Sequence, residues 1–122
     1  MSELSAHEAV AYKILSSRQL KDLLSAGTFA GAPVDIADGY IHLSTLGQVK
    51  GTLDKHFAGQ DDLHIAAVDL AALADAVKWE VSRGGALFPH LYAVLPLSAV
   101  IAHGPITFDR TGALLLPDIE VS

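Results

Sequence analysis

The segment Asp38-Gly39-Tyr40-Ile41-His42-Leu43-Ser44-Thr45 decides how this chain folds. It opens with Asp-Gly, a typical turn dipeptide, and successive side chains of the strand that follows point to opposite faces. Tyr40, His42 and Ser44 therefore share one face, while the two aliphatic residues between them point the other way. Because the aliphatic pair is expected in the core, the segment directs His42 and its polar neighbours towards a candidate site.

A helix start is predicted directly after this strand. Thr45 stands where a helix N-cap belongs, and Gln48, three residues later, is the reciprocal partner of a capping box. The apolar spacing that follows predicts a helix from Leu46 to about Phe57. The N-terminus of a helix attracts anions, so this arrangement beside His42 favours a phosphorylated or acidic ligand.

Length and composition limit the class of protein. The 122 residues are about half apolar, carry a formal net charge of -6 and include no cysteine. A chain of this length can bury a core unaided, so we expect a single domain over residues 1–122. The negative charge argues against nonspecific binding to nucleic acid and to anionic membranes. With no apolar leader and no membrane-spanning segment in the sequence, the expected location is the cytoplasm.

The remaining pattern predicts a mixed α+β domain in which strands outnumber helices. Ser17 is predicted to cap the first helix, and the small and turn residues that follow that helix indicate a loop. The other predicted elements are a strand over 10–15, a helix through Ser25, a loop over 28–33, a strand over 63–68, a short alanine-rich helix over 70–76, a strand over 77–81 and a C-terminal hairpin over about 105–117.

A second group of candidate site residues follows Trp79. By alternation Glu80 faces away from the Trp79 core, where it can supply a general base or a ribose-binding carboxylate, or be a solvated strand residue. Arg83 precedes two glycines and can cradle a phosphate, although the same residues fit a surface turn.

A third group lies around Pro89, which holds the preceding residue in an extended conformation. Phe88, His90 and Tyr92 then share a face and form either an aromatic ligand wall or a small core cluster. None of the six histidines of the chain has the spacing of a metal-binding motif. We therefore predict no metal site.

Four separated motifs occur in a fixed order over residues 10 to about 102. They are Tyr12-Lys13-Ile14, the 38–45 segment with Gln48, Trp79-Glu80-Val81-Ser82-Arg83-Gly84-Gly85 and Phe88-Pro89-His90-Leu91-Tyr92. In this order they resemble the bacterial domain-of-unknown-function 952 family. That family is usually grouped with the ADP-ribosyltransferase-like fold, a split β-barrel or sheet around a nicotinamide-dinucleotide cleft. The resemblance implies a single α+β domain with two to three short helices and NAD as the candidate cofactor.

A narrower resemblance concerns the central strand. Tyr40-Ile41-His42-Leu43-Ser44 is similar to the His-Val-His-Leu-Ser strand of RNA 2'-phosphotransferases of that superfamily, with His42 at the second histidine. Lys13 stands at the position of a first-strand histidine, and Tyr40 at the position of the other. This resemblance implies ADP-ribosyl or 2'-phosphate transfer.

Taken together, the sequence predicts a cleft for a nucleotide or other phosphorylated small molecule. His42 and Glu80 are the candidate catalytic residues, with His42 moving a proton and Glu80 orienting a ribose hydroxyl. The candidate ligand-binding residues are Lys13, Tyr40, Ser44, Thr45, Arg83, His90 and Tyr92. A noncatalytic ligand sensor and a structural or protein-interaction module are the alternatives.

Overall fold

The computed structural model describes residues 9–117, which form a mixed domain of strands and a few helices. The strands are β1 (Val10–Ser16), β2 (Thr28–Phe29), β3 (Ile41–His42), β4 (Leu63–Asp69), β5 (Val77–Val81), β6 (Leu87–Leu91), β7 (Leu95–Pro96), β8 (Val100–Pro105), β9 (Thr107–Phe108) and β10 (Leu114–Leu115). The α-helices are α1 (Ser17–Ala26), α2 (Pro33–Asp38) and α3 (Val49–His56). No helix among residues 9–117 is long and apolar enough to cross a membrane. The N-terminal residues on which the cytoplasmic expectation depends lie outside the described part of the chain.

Two antiparallel three-stranded sheets carry the fold, in the orders β1-β4-β8 and β3-β6-β5. The 38–45 segment joins them. Ser44 and Tyr12 exchange two backbone hydrogen bonds of 2.7 and 2.9 Å, while Leu43 N donates to Pro89 O at 3.0 Å. Because one segment bonds to β1 on one side and to β6 on the other, residues from both sheets meet around His42. Two further two-stranded pairs, β2-β7 and β9-β10, complete the sheets.

Strand β1 is buried on both faces and separates two apolar cores. Ala11 and Leu15 pack with α1 in the first core, whereas Tyr12 and Ile14 pack with α3 in the second. Burying one large aliphatic side chain contributes about 1.5–3 kcal/mol, so both helices are held mainly by these contacts. Lys13 lies among these core residues and is only 5% exposed, so a buried charge is placed at the centre of the fold.

The cap of α1 differs from the prediction by one residue. Ser16 is the N-cap: its hydroxyl accepts from Gln19 N at 3.1 Å, and Gln19 Oε1 accepts from Ser16 N at 2.9 Å. The predicted cap, Ser17, instead bonds through its hydroxyl to the side chains of Asp62 and His64. The prediction of Ser17 was wrong because β1 pairs with β4 through Ser16, one residue beyond the expected strand end.

The loop predicted over 28–33 was also wrong in part, because it contains β2 and the start of α2. Pro33 occupies the first turn of α2, where its fixed φ favours a helix and its missing N–H costs nothing. Gly39 ends the helix in the left-handed region at φ 90°, which a glycine adopts without steric cost. Together these two residues delimit a helix of six residues.

Two other predicted helices are modified. The helix expected from Leu46 begins as a 3₁₀ turn over Leu46–Gln48 and continues as α3. The alanine-rich segment after Asp69 forms two separate 3₁₀ turns, and the second begins at Ala74, whose φ is 49°. Asp69 does cap this segment, since its carboxylate accepts from Ala71 N at 3.0 Å.

Ser16→Ala tests the observed cap. Removing the hydroxyl leaves Gln19 N without its acceptor, so the free energy of unfolding should fall by about 1 kcal/mol in urea denaturation. The control is Ser98→Ala, an exposed serine, which should change stability by less than about 0.5 kcal/mol. Equal effects of the two substitutions would contradict the assignment of Ser16 as the cap.

Candidate functional site

Asp35 on α2 is the centre of a buried polar network. Its side chain is 1% exposed and accepts from Lys13 Nζ at 2.9 Å and from Ala32 N at 2.7 Å. The other carboxylate oxygen contacts the backbone N of His42 at 3.1 Å and its ring Nδ1 at 2.7 Å. One carboxylate therefore ties β1, α2 and β3 together.

Burial and the charges of this network shift the pKa values of its two buried members, Asp35 and Lys13. Burial alone would raise the pKa of Asp35, but the hydrogen bond with His42 and the ion pair with Lys13 lower it from 3.8 to about 2. Burial lowers the pKa of Lys13, and the adjacent carboxylate opposes that shift. Lys13 Nζ also donates to His42 O at 3.1 Å. The ammonium thus has three oxygen contacts inside the protein.

His42 contacts a carboxylate at each ring nitrogen. Nδ1 faces Asp35 at 2.7 Å, and Nε2 faces Asp38 Oδ2 at 2.9 Å. Asp38 is the last residue of α2 and its side chain is 46% exposed, in contrast to the buried Asp35. The buried carboxylate fixes the ring, while the exposed one occupies the edge of the ring nearest to solvent.

His90 on β6 belongs to a second histidine–carboxylate pair. Its Nδ1 lies 2.8 Å from Glu80 Oε1, and the same oxygen accepts a hydrogen bond of 2.7 Å from the Tyr92 hydroxyl. The hydrogen bonds from Tyr92 and His90 lower the pKa of Glu80, and the bond to Glu80 raises the pKa of Tyr92 to about 12. Glu80 thereby holds the His90 ring from the side of β5.

The ring of Tyr40 connects the two pairs. Its centroid lies 4.1 Å from that of His90 in a stacked arrangement and 4.7 Å from that of His42. The two imidazole centroids are 5.5 Å apart, edge to face. Burial, together with Asp38 and Glu80, raises the pKa of Tyr40. Both imidazoles are thus confined within one aromatic cluster.

A cavity of about 240 Å³ opens beside this cluster. The hydroxyl oxygens of Ser44 and Thr52, 2.9 Å apart, form one polar part of its wall, and His42 and His90 form another. The remaining wall is mostly apolar and aromatic, which is typical of small-molecule sites. Its other lining residues are Tyr12, Lys13, Ile14, Val34, Asp38, Tyr40, Leu43, His56, Phe57, Ser82 and Phe88. Among residues 9–117, no group of three acidic or histidine side chains is arranged to hold a metal ion.

Five predicted site residues meet at the cavity wall, namely Lys13, Tyr40, His42, Ser44 and His90. The others lie elsewhere. Glu80 contacts His90, and Tyr92 contacts Glu80, but neither residue lines the cavity. Thr45 is bonded through its backbone N to Gln48 Oε1, ahead of the 3₁₀ turn. The side chain of Arg83 lies outside what the structure describes, so its role as a phosphate ligand stays a prediction.

Neither Asp35 nor Asp38 was predicted from the sequence as a site residue. The available signal was the helix-start pattern, in which a proline at the first helical position precedes an acidic residue in the first turn, with Gly39 as the stop signal. That pattern would have placed both acidic residues on a helix immediately before the histidine strand. Their contacts with His42 depend on how this helix folds back onto β3.

The fold and site define a small antiparallel α+β protein with two histidine–carboxylate pairs beside one cavity. The chain belongs to the family described as "Protein of unknown function (DUF952)", whose model matches residues 14–103. Among solved structures, it is similar to the crystal structure of protein CC0527 from Caulobacter crescentus, with 42% identity, a TM-score of 0.80 and coverage of 87% of this chain and 93% of that one. The solution structure of CC0527 gives 43% identity, a TM-score of 0.75 and coverage of 86% and 90%. No curated protein matches this chain.

Asp35→Asn tests the buried ion pair. The substitution leaves the Lys13 ammonium buried without a counter-charge, so urea denaturation at pH 7 should show a loss of about 3–5 kcal/mol. Adding Lys13→Met should restore part of this loss because it removes the uncompensated charge. The matched control is Asp54→Asn in the exposed Lys50–Asp54 pair, for which we expect a change below about 1 kcal/mol.

The pKa of Asp35 also predicts how stability depends on pH. A carboxyl group with a folded-state pKa of about 2, against 3.8 ordinarily, stabilises the fold fully above about pH 4 and loses this contribution as the pH falls towards 2. The loss amounts to about 2 kcal/mol. In acid titrations of stability, Asp54→Asn should retain this component and Lys13→Met/Asp35→Asn should lack it. Parallel curves for these two variants would contradict the assigned pKa.

Proposed function

We propose that this cavity binds a nucleotide or another phosphorylated small molecule and exchanges protons with it through His42 and His90. One observation carries the proposal: two imidazoles, each held by a carboxylate at Nδ1, line the same cavity. A carboxylate at one ring nitrogen fixes the orientation of the other nitrogen, as general acid–base chemistry requires.

The rest of the wall fits the two parts of such a ligand. The aromatic rings of Tyr40 and Phe88 supply surface for a nucleobase or a similar ring. The Ser44 hydroxyl and the Nε2 edge of the His42 ring supply hydrogen-bonding groups for phosphate oxygens. The ammonium of Lys13 is already bound by Asp35, so we assign phosphate recognition to these neutral and imidazole donors.

Of NAD, only one nucleotide half is proposed to bind in this cavity. Sites that enclose drug-sized ligands have volumes of about 300–1,000 Å³, whereas this cavity measures about 240 Å³. This cavity can therefore enclose only part of a nucleotide, and the rest of a mononucleotide or dinucleotide would lie outside it. The ADP-ribosyltransferase-like assignment and NAD-linked transfer remain part of the hypothesis on the strength of the motifs alone, and we derive no step through NAD.

A structural role is the second candidate, because several of the polar groups are deeply buried. Lys13, Ser44 and His90 are at most 5% exposed, as expected of a polar network that specifies a unique core. A noncatalytic sensor would share the ligand but show no turnover. The volume of the cavity favours a ligand, since a purely structural network has no need to leave such space beside it.

Binding of adenosine monophosphate tests the proposal, with ADP-ribose and NAD measured in parallel. Ligand at a hundred times its dissociation constant should stabilise the protein by about 2.7 kcal/mol, seen as a higher melting temperature. His42→Ala and His90→Ala should abolish this shift. His103→Ala, an exposed histidine on β8, is the control and should retain it. The structural alternative predicts no shift with any nucleotide and a large loss of stability in both site variants.

A further inference from the structure

The two imidazoles of the cleft have different hydrogen-bond environments. His42 meets carboxylates at both ring nitrogens, and only a doubly protonated ring can donate to both. His90 meets a carboxylate at Nδ1 alone, which favours the neutral tautomer with the proton on Nδ1 and a lone pair on Nε2. His42 is therefore built as a proton donor and His90 as a proton acceptor.

The other charged groups around the rings agree with this division. His42 faces Asp35 and Asp38 of α2 and the Lys13 ammonium of β1, where Asp35 is shared between Lys13 and the ring. Two carboxylates and one ammonium leave a net negative charge beside the ring that donates at both nitrogens.

His90 faces a single acid, Glu80 of β5, and that acid also accepts from the Tyr92 hydroxyl. The hydrogen bonds from Tyr92 and His90 lower the pKa of Glu80, and the Lys78 ammonium, 5.3 Å from the Tyr92 ring centroid, adds to this effect. The negative charge available to His90 is therefore smaller than that available to His42. Two imidazoles with different hydrogen-bond partners can take the separate roles of acid and base.

We expect the ligand oxygen that accepts a proton from His42 to bind where the Asp38 carboxylate now lies. Its carboxylate oxygen lies 2.9 Å from His42 Nε2, and its side chain is nearly half exposed at the end of α2. An anionic or developing anionic oxygen of a ligand can take that position while Asp38 moves into solvent. Asp35, which is buried, continues to hold Nδ1.

Resting on the proposed function, we propose that the cleft catalyses intramolecular phosphoryl transfer in a phosphodiester that carries a neighbouring hydroxyl, as a ribonucleotide does. His90 Nε2 takes the proton of that hydroxyl, whose oxygen forms a bond to phosphorus. The bond from phosphorus to the leaving oxygen breaks, its electron pair stays on that oxygen, and His42 Nε2 protonates it. Nothing is oxidised or reduced, and exchange with solvent returns one proton to His42 and removes one from His90.

The first test is independent of substrate. In nitrogen-15 NMR of the full chain at neutral pH, His42 should show two protonated ring nitrogens, and His90 should show a protonated Nδ1 with an unprotonated Nε2. Glu80→Leu should convert His90 into a mixture of the two neutral tautomers, because Glu80 acts as a positioning residue. A neutral His42, or a His90 that carries its proton on Nε2, would overturn the assignment of roles.

The second test separates acid from base through the leaving group. A ribodinucleoside monophosphate has an alkoxide leaving group that needs a proton, whereas the nitrophenyl ester of a ribonucleoside 3'-phosphate does not. His90→Ala should slow cleavage of both probes by at least about 100-fold. His42→Ala should slow the dinucleotide by at least about 100-fold and the nitrophenyl ester by less than about 10-fold. His103→Ala should leave both rates unchanged.

Binding of a nonreactive 2'-deoxy dinucleotide distinguishes a failure of the phosphoryl-transfer inference from a failure of the proposed function. If the wild-type protein binds this analogue but cleaves neither probe, the phosphoryl-transfer inference is wrong and the proposed ligand class stands. If the protein neither binds the analogue nor cleaves a probe, the phosphoryl-transfer inference is wrong, and failure to bind adenosine monophosphate as well would overturn the proposed ligand class. Equal losses in His42→Ala on the two probes would overturn the role of His42 as the acid.

Discussion

The carboxylate of Asp35 is the contact on which the site depends. It lies in a region where an unpaired charge is costly, and it is paired with a buried ammonium, two backbone N–H groups and an imidazole. These partners belong to β1, to the N-cap of α2 and to β3, so the carboxylate fixes the distances between the three elements. The orientation of His42 follows from this arrangement.

The segment that connects the two sheets also positions the histidines. The residues after β3 bond to β1 at Tyr12 and to β6 at Pro89, so the edge of one sheet meets the edge of the other at the histidine segment. In the β3-β6 pair His42 lies directly opposite His90. Their rings are thus brought together by sheet register, while Tyr40, just before β3, covers both.

The two histidine–carboxylate pairs differ in how they are built, so the two imidazoles beside the cavity have different hydrogen-bond partners. Asp35 reaches His42 from a helix and leaves Nε2 to the exposed Asp38. Glu80 reaches His90 as a diagonal neighbour across the β5–β6 pair, where Glu80 itself lies opposite Phe88. One ring is enclosed by negative charge and the other is held at a single nitrogen.

The positions of most strands along the chain, the shared face of Tyr40, His42 and Ser44, and membership of the family could be predicted from the sequence, because alternation and local motifs depend on near neighbours. Two features could be seen only in three dimensions: Lys13 pairs with Asp35, 22 residues away, and Glu80 contacts His90 and does not line the cavity. Such pairings are fixed by sheet register and by the docking of a short helix. No local periodicity encodes them, since the free energy of a buried ion pair depends on which distant groups exclude water from it.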